Sequence, residues 1–217
     1  MKLFRTLLFL CVMAVAATAD PITITFTQSP GQTAGGYYVG YTTATLQTAT
    51  QTFPDFSLIC ADFTHTTSVP SGPYTFNVST LDDLSNVRWQ GPNMLLNYQI
   101  AAILLYDYDG LAPNDQSDQA GDYNFALWNV FNPAATPNYG NSLALIASAT
   151  TVVAGGGISE AYENFRIFTP TGNATSNQEF LGTTSTTFGN PGEVPEPTTS
   201  ALMGLGLIGI ALINRRR

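Results

Sequence analysis

The chain has 217 residues, of which 44% are hydrophobic and only 10% are charged, and its formal net charge is −8. Two basic and fourteen acidic residues fall between positions 20 and 193, so this part carries a net charge of −12. Phosphate recognition depends on basic side chains, so this balance argues against nucleic acid as a partner.

The first nineteen residues have the pattern of a secretory signal peptide. Lys2 and Arg5 precede an apolar run over residues 6–15, and the small residues 17–19 follow it. This order predicts export through the Sec translocon and removal of residues 1–19 by signal peptidase.

Several segments of the body alternate apolar and polar residues with the period of two that is typical of β-strands. The predicted strands cover residues 22–28, 37–46, 56–63, 74–80, 165–169 and 178–181. Strands in such succession, separated by Gly and Pro turns, predict an antiparallel sheet or sandwich.

Between the two groups of strands, the apolar spacing changes to three and four residues, which favours helices. The predicted helices cover residues 94–106, 122–131 and 142–153, and Thr80 with Asp83 could cap a short helical turn. Asn93 is the candidate N-cap of the first helix, and Leu95 widens its apolar face. This helix is expected to be deeply buried.

The predicted fold is therefore α+β, with a mainly antiparallel sheet or sandwich body and an inserted helical part. An N-terminal signal helix and a C-terminal transmembrane helix flank this body. The predicted boundaries are 1–19 for the signal peptide, 20–181 for the exported body, 182–193 for a Gly/Thr/Ser/Pro-rich linker and 194–217 for a sorting and anchor segment.

The last segment combines a short motif, an apolar run and a basic cluster. The motif is Val194-Pro195-Glu196-Pro197, the apolar run covers residues 198–213, and the chain ends in Arg215, Arg216 and Arg217. Sixteen helical residues span about 24 Å, slightly less than the about 30 Å of a bilayer core. By the positive-inside rule, the arginines stop the segment on the cytoplasmic side and leave the body outside.

This arrangement closely resembles the PEP-CTERM sorting signal. The resemblance implies that an exosortase in a Gram-negative envelope cuts near the motif and transfers the body to the cell exterior, often alongside exopolysaccharide. It also implies an inner-membrane-anchored precursor and a mature form at the cell surface or outside the cell. A plain membrane anchor is the alternative interpretation.

Two short motifs in the body resemble the halves of the thioester domain of surface adhesins. They are the strand motif 58–63, which contains Cys60, and the helix motif 123–128, which contains Asn124. In that family a strand cysteine and a helix glutamine condense to a thioester, which a nucleophile on a surface can open. Asn124 occupies the glutamine position and is one methylene shorter, about 1.5 Å, so we expect the scaffold without the bond.

Cys60 also has a simpler interpretation. It is the only cysteine left after removal of the signal peptide, so no intramolecular disulfide can form in the mature chain. Unpaired cysteine commonly packs as a small apolar side chain, and a core position alone would account for it.

The acidic residues between the first two predicted helices are a candidate cation site. Asp107, Asp109, Asn114, Asp115 and Asp118 offer the oxygen ligands that calcium prefers. The EF-hand spacing is not met, and a solvated acidic loop is the favoured interpretation. We predict no metal site and no cofactor.

Catalytic interpretations have less support. Asp62 with Asp82 and Asp83 could be the paired carboxylates of a carbohydrate-active hydrolase, but nothing beyond their presence favours this. His65, the only histidine, has no nucleophile motif beside it and is expected to be an exposed polar residue.

The aromatic residues allow one more interpretation. Arg88-Trp89 and the Tyr-rich segment of Tyr37, Tyr38 and Tyr41 could stack on sugars, although such residues more often fill a core. We therefore expect a non-enzymatic protein of the cell envelope or extracellular matrix with a structural or adhesive role toward exopolysaccharide or a surface ligand. Covalent adhesion through Cys60 is the alternative, and hydrolysis ranks below it.

Overall fold

The structure is a computed structural model that describes residues 21–172 and 175–184. The predicted signal peptide, the sorting motif and the predicted transmembrane helix lie outside the described residues. Among the described residues, no helix is both long enough and apolar enough to cross a membrane.

The described residues form eight strands and four helices. The strands are β1 (Ile22–Gln28), β2 (Gln32–Ala34), β3 (Tyr37–Val39), β4 (Tyr41–Gln47), β5 (Thr52–Cys60), β6 (Ser71–Ser79), β7 (Phe165–Pro170) and β8 (Phe180–Thr183). The helices are α1 (Met94–Asp109), α2 (Pro113–Phe131), α3 (Ser142–Ala154) and α4 (Ser159–Asn164).

Six of the strands close into a barrel in the order β1-β4-β5-β8-β7-β6, and every neighbouring pair is antiparallel. The prediction of an α+β fold with a mainly antiparallel sheet is confirmed. The expected sandwich is wrong, because β6 pairs with both β1 and β7 and β8 joins β7 to β5, which leaves one closed sheet. Strands β2 and β3 form a separate hairpin.

The closed sheet has two apolar faces where it meets the helices. Leu58 and Phe180 belong to the apolar cluster inside the closed sheet, whereas their neighbours Ile59 and Leu181 pack against the helical layer. Because side chains alternate along a strand, β7, β8 and the C-terminal end of β5 are buried on both faces. The interior cluster consists of Ile22, Ile24, Phe26, Ala44, Leu46, Phe56, Leu58, Phe76, Phe168 and Phe180.

Helix α1 is the buried centre of the helical layer, as predicted. Two details of the prediction are wrong. Leu95 is 48% exposed, because it lies in the first turn before the helix enters the core. Asn93 makes no side-chain capping bond, and the N–H of Met94 instead bonds to the Gly91 carbonyl oxygen. Thr80 and Asp83 form an isolated β-bridge rather than a helical turn.

Helix α2 begins at Pro113, far before the predicted start at residue 122. The segment expected to be an acidic loop is therefore helical. Proline has no backbone N–H, but the N–H at the first helical position would have no partner within the helix, so Pro113 is tolerated there. Asp115 in the first turn interacts favourably with the helix dipole. The longer helix carries Asn124 and Trp128 one turn apart.

Other boundaries differ by a few residues. The predicted strand over 37–46 is interrupted at Gly40, which divides it into β3 and β4. Strand β5 ends at Cys60, so residues 61–63 leave the sheet, and β8 runs to Thr183, past the predicted end of the body at 181. Helix α4 was not predicted.

Candidate functional site

The two residues of the predicted thioester-like pair lie at one cavity. Cys60 is the last residue of β5, Asn124 lies in the middle of α2, and both line a cavity of about 500 Å³ together with Trp128. Tyr37 and Tyr38 of the β2–β3 hairpin also line it. The fold therefore brings the strand motif and the helix motif together.

The carboxamide of Asn124 is bonded at both ends. Its Oδ1 accepts a hydrogen bond from the Gly40 N–H at 2.5 Å, and its Nδ2 donates to the Cys60 carbonyl oxygen at 3.1 Å. Gly40 has a φ of +97°, a conformation that non-glycine residues rarely adopt. Asn124 is only 1% exposed, so it is a buried link between α2, the junction of β3 and β4, and the end of β5.

The thiol of Cys60 is hydrogen-bonded to the backbone of Asp62, two residues beyond the end of β5 along the chain. Its S–H donates to the Asp62 carbonyl oxygen and its sulfur accepts from the Asp62 N–H, each at 3.3 Å. Burial raises the pKa of the Cys60 thiol to about 12, although the Asp62 backbone and the nearby Trp128 side chain act to lower it. The thiol is therefore protonated at neutral pH and is a weak nucleophile.

Trp128 forms part of an aromatic cluster beside this pair. Its ring lies 4.9 Å from that of Phe125, 5.2 Å from Phe63 and 6.0 Å from Tyr37, measured between centroids. The side chain is 3% exposed, and its indole N–H is buried beside the Cys60 thiol, whose pKa it acts to lower. The Trp128 ring therefore forms a fixed wall of the cavity.

The β2–β3 hairpin packs closely on α2. A Cβ atom at Gly121 would lie 2.7 Å from the Ala34 side chain and 2.7 Å from the Tyr139 ring, so only glycine permits this approach. The hairpin presents Tyr37 and Tyr38, which are 43% and 67% exposed. The expectation that these tyrosines fill the core is wrong, because the hairpin lies outside the closed sheet.

Asp62 belongs to an ion pair rather than to a pair of catalytic carboxylates. Its Oδ2 lies 2.6 Å from Arg88 Nη1 and 2.8 Å from His65 Nδ1. Desolvation opposes the charge of Asp62, but hydrogen bonds from His65 and Thr64 and the charge of Arg88 outweigh it, and its pKa is lowered. Asp82 lines a different cavity, of about 300 Å³, so the carboxylates suggested by the sequence are divided between sites.

Arg88 also holds the connection between β7 and β8. Its Nη2 donates to the carbonyl oxygens of Thr175 at 3.0 Å and Asn177 at 2.8 Å. Sequence reasoning missed this role. The available signal was that Arg88 is one of only two basic residues in a strongly acidic body.

A second buried carboxylate, Glu179, was also missed. It is fully buried and accepts hydrogen bonds from the hydroxyls of Tyr98 and Thr169, each at 2.6 Å, and from the Arg88 N–H at 2.8 Å. Desolvation raises its pKa despite these bonds. Its partners come from α1, β7 and the segment before α1, so it joins the helical layer to the sheet.

The acidic residues considered for calcium do not share one loop. Asp109, at the end of α1, accepts hydrogen bonds from the Tyr41 hydroxyl and from Thr183 Oγ1, whereas Asn114, Asp115 and Asp118 lie in α2. In residues 21–172 and 175–184, no group of three or more His, Cys, Asp or Glu side chains is arranged to hold a metal ion.

His65 is less isolated than the sequence suggests. It lines the cavity, and its Nδ1 also lies 3.1 Å from the Thr64 hydroxyl. Its side chain is still partly exposed and is oriented by Asp62.

The C-terminal residues of the chain match a known family. Residues 193–217 match the family described as the PEP-CTERM protein-sorting motif. The chain therefore carries this signal, as predicted, and is an exported protein that is anchored at the membrane until exosortase, a membrane protease, processes it.

The body was compared with solved structures and with curated proteins. The N-terminal domain of the Streptococcus pyogenes pilus tip adhesin Cpa is weakly similar, with a TM-score of 0.42 and 11% sequence identity over 79% of this chain and 97% of that chain. No curated protein matches the sequence.

Proposed function

We propose that the mature body acts at the surface of a Gram-negative cell as a non-catalytic adhesive domain that holds its ligand without a covalent bond. Signal peptidase removes residues 1–19 after Sec export, and exosortase then cuts near Pro195-Glu196-Pro197. The observation that carries the non-covalent part is the bonding of Asn124, whose amide is used by two backbone groups.

Three features of the site support binding rather than chemistry. The Cys60 thiol has a pKa of about 12 and is therefore protonated outside the cell. The Asn124 amide is fixed by hydrogen bonds at both its oxygen and its nitrogen. The cavity of about 500 Å³ is within the usual size range of ligand sites and has exposed aromatic residues beside it.

Covalent adhesion through Cys60 remains the second candidate. One observation favours it, because the side chain of Asn124 reaches the backbone of Cys60 and both residues line the same cavity. A thioester would require the Cys60 sulfur to attack the Asn124 carboxamide carbon and release ammonia. The raised thiol pKa and the missing methylene both oppose this step.

The test compares the attachment of cells that lack the protein with that of cells that produce the wild-type chain or one of two variants. Cys60→Ser removes the thiol, and replacement of Pro195, Glu196 and Pro197 by Ala removes the sorting motif. After washing on a surface coated with the cells' own matrix, Cys60→Ser cells should remain attached like wild-type cells, and cells with the altered motif should not.

Two results would contradict the proposal. Loss of attachment in Cys60→Ser cells, with the protein still folded and displayed, would favour the covalent alternative. Wild-type attachment in cells that lack the protein would show that the domain is not adhesive.

A further inference from the structure

The cavity beside Cys60 presents exposed aromatic rings. Tyr38 makes no ring contact with another described aromatic residue and is 67% exposed. Tyr37 is held against Phe63 and Trp128 at centroid distances of 5.0 and 6.0 Å, yet 43% of it stays exposed. A tyrosine held in this way offers an apolar surface at little cost in side-chain entropy.

Hydroxyl groups without a hydrogen-bond partner among the described residues line the same cavity. The hydroxyls of Ser29, Thr42 and Thr66 form no hydrogen bond to another residue of the described chain. Such hydroxyls can both donate hydrogen bonds to a ligand in the cavity and accept them from it.

The cavity offers no cation to an acidic ligand. Among the described residues that line it, none is Asp, Glu, Lys or Arg, and His65 already lies 2.8 Å from the carboxylate of Asp62. The surrounding body carries a net charge of −12, which repels anions. The lining therefore suits a neutral ligand that is rich in hydroxyl groups.

From these observations we infer that the cavity binds a neutral saccharide. The apolar face of a sugar ring would stack on Tyr38 and Tyr37, and its hydroxyl groups would pair with the hydroxyls of Ser29, Thr42 and Thr66. Aromatic walls with a few placed polar groups are typical of small-molecule sites. The inference rests on the proposed function, in that it names the ligand class of the binding domain.

The experiment measures tryptophan fluorescence of the mature protein isolated from its envelope, titrated with cellohexaose, maltohexaose and mannohexaose. Oligogalacturonate of the same length serves as the acidic comparison. The chain has two tryptophans, and Trp89 stacks on Phe131 instead of lining the cavity. At least one neutral oligosaccharide should give a saturable signal that persists in Trp89→Phe and is lost in Trp128→Phe.

Tyr38→Ala provides the decisive comparison, because this side chain is 67% exposed and makes no ring contact with another described aromatic residue, so its removal should leave the fold intact. It should weaken binding about tenfold or more, measured by calorimetry. Leu143→Ala, an exposed apolar residue of α3 that does not line the cavity, should bind like the wild type.

The inference is overturned if no neutral oligosaccharide binds, if the acidic oligomer binds more tightly, or if Tyr38→Ala binds as well as the wild type. A peptide extracted from the matrix that occupies the cavity in place of the sugars would also overturn it. Failure of the ligand class stays distinct from failure of the function. If no sugar binds while Cys60→Ser cells still attach, the adhesive domain stands and the saccharide assignment falls.

Discussion

The side chain of Asn124 joins helix α2 to the end of strand β5 through a hydrogen bond from Nδ2 to the carbonyl oxygen of Cys60, at 3.1 Å. The Gly40 N–H completes the link from the opposite side. One buried amide thus fixes the relative positions of the helix, the β3–β4 break and β5. The two residues of the predicted thioester-like pair are joined here through the backbone of Cys60.

Asn124→Ala should destabilise the folded protein by about 2–4 kcal/mol, because it leaves the Gly40 N–H and the Cys60 carbonyl oxygen unsatisfied. Urea unfolding of the mature chain measures this change. Asn86→Ala, at an exposed position whose side chain donates to its neighbour Ser85, is the matched control and should change stability little. If the two variants are equally stable, the hydrogen bonds of Asn124 do not contribute to the stability of the fold.

Cys60 should react with iodoacetamide slowly at pH 8, and its rate should rise about tenfold per pH unit well past pH 9. Only the thiolate reacts, and burial raises the pKa of the Cys60 thiol to about 12, so the thiolate fraction keeps increasing with pH in this range. In urea, the reaction rate of the unfolded chain should level off near pH 9. A native rate that levels off near pH 8.5 would contradict the buried position of the thiol.

Arg88→Met should destabilise the protein by about 3–5 kcal/mol, because it leaves the Asp62 carboxylate buried without its closest partner. Asp83→Asn, which changes an exposed carboxylate that accepts from the Ser85 N–H, is the control with a small expected effect. Thermal unfolding measures both. If Arg88→Met and the control unfold at similar temperatures, the ion pair is not a structural link.

The same pair predicts how acid affects stability. The pKa of Asp62 is lowered in the folded protein, so its contribution is present above the unfolded value of about 3.9 and is lost as the pH falls below it. In Arg88→Met the folded-state pKa of Asp62 should rise toward the unfolded value, so less stability should be lost as the pH falls through this range. If the free energy of unfolding of Arg88→Met, measured in urea at a series of pH values, falls with pH as steeply as that of the wild type, this prediction is wrong.

Replacement of Pro195, Glu196 and Pro197 by Ala should leave the protein in the membrane fraction with its arginine cluster intact. The reason is that exosortase processes chains that carry the sorting motif. Pro191→Ala, a proline outside the matched residues, should be processed like the wild type. Fractionation followed by detection of the C-terminal residues distinguishes the two, and release of the altered chain would refute the role of the motif.

Local patterns predicted individual elements better than their arrangement. Strand β1 was predicted with its observed bounds, because its alternation reflects burial of one face. Closure of the sheet could not be predicted, since it depends on pairing of β6 with β7, which lie about 90 residues apart in the chain. The start of α2 was missed because a polar segment of Asn, Asp, Gln and Ser resembles a loop until Pro113 is placed at the first helical position.

The candidate site was predictable only in part. The resemblance of two motifs indicated Cys60 and Asn124 together, and the structure places both at one cavity. The bonds of Asn124 to Gly40 and of Arg88 to Asp62 and Asn177 join residues far apart in sequence, so no local pattern shows them. The exposure of Tyr38 depends on the hairpin lying outside the closed sheet, which alternation alone does not show.

The most direct test of the central claim is the intact mass, with fragmentation of both termini, of the mature protein isolated from its own envelope. We predict a C-terminus near Pro197, loss of Arg215, Arg216 and Arg217, and a body of full mass with a free Cys60 thiol. Retention of Arg217 would contradict processing at the sorting motif. A deficit of one ammonia localised to Cys60 and Asn124 would contradict the non-covalent site.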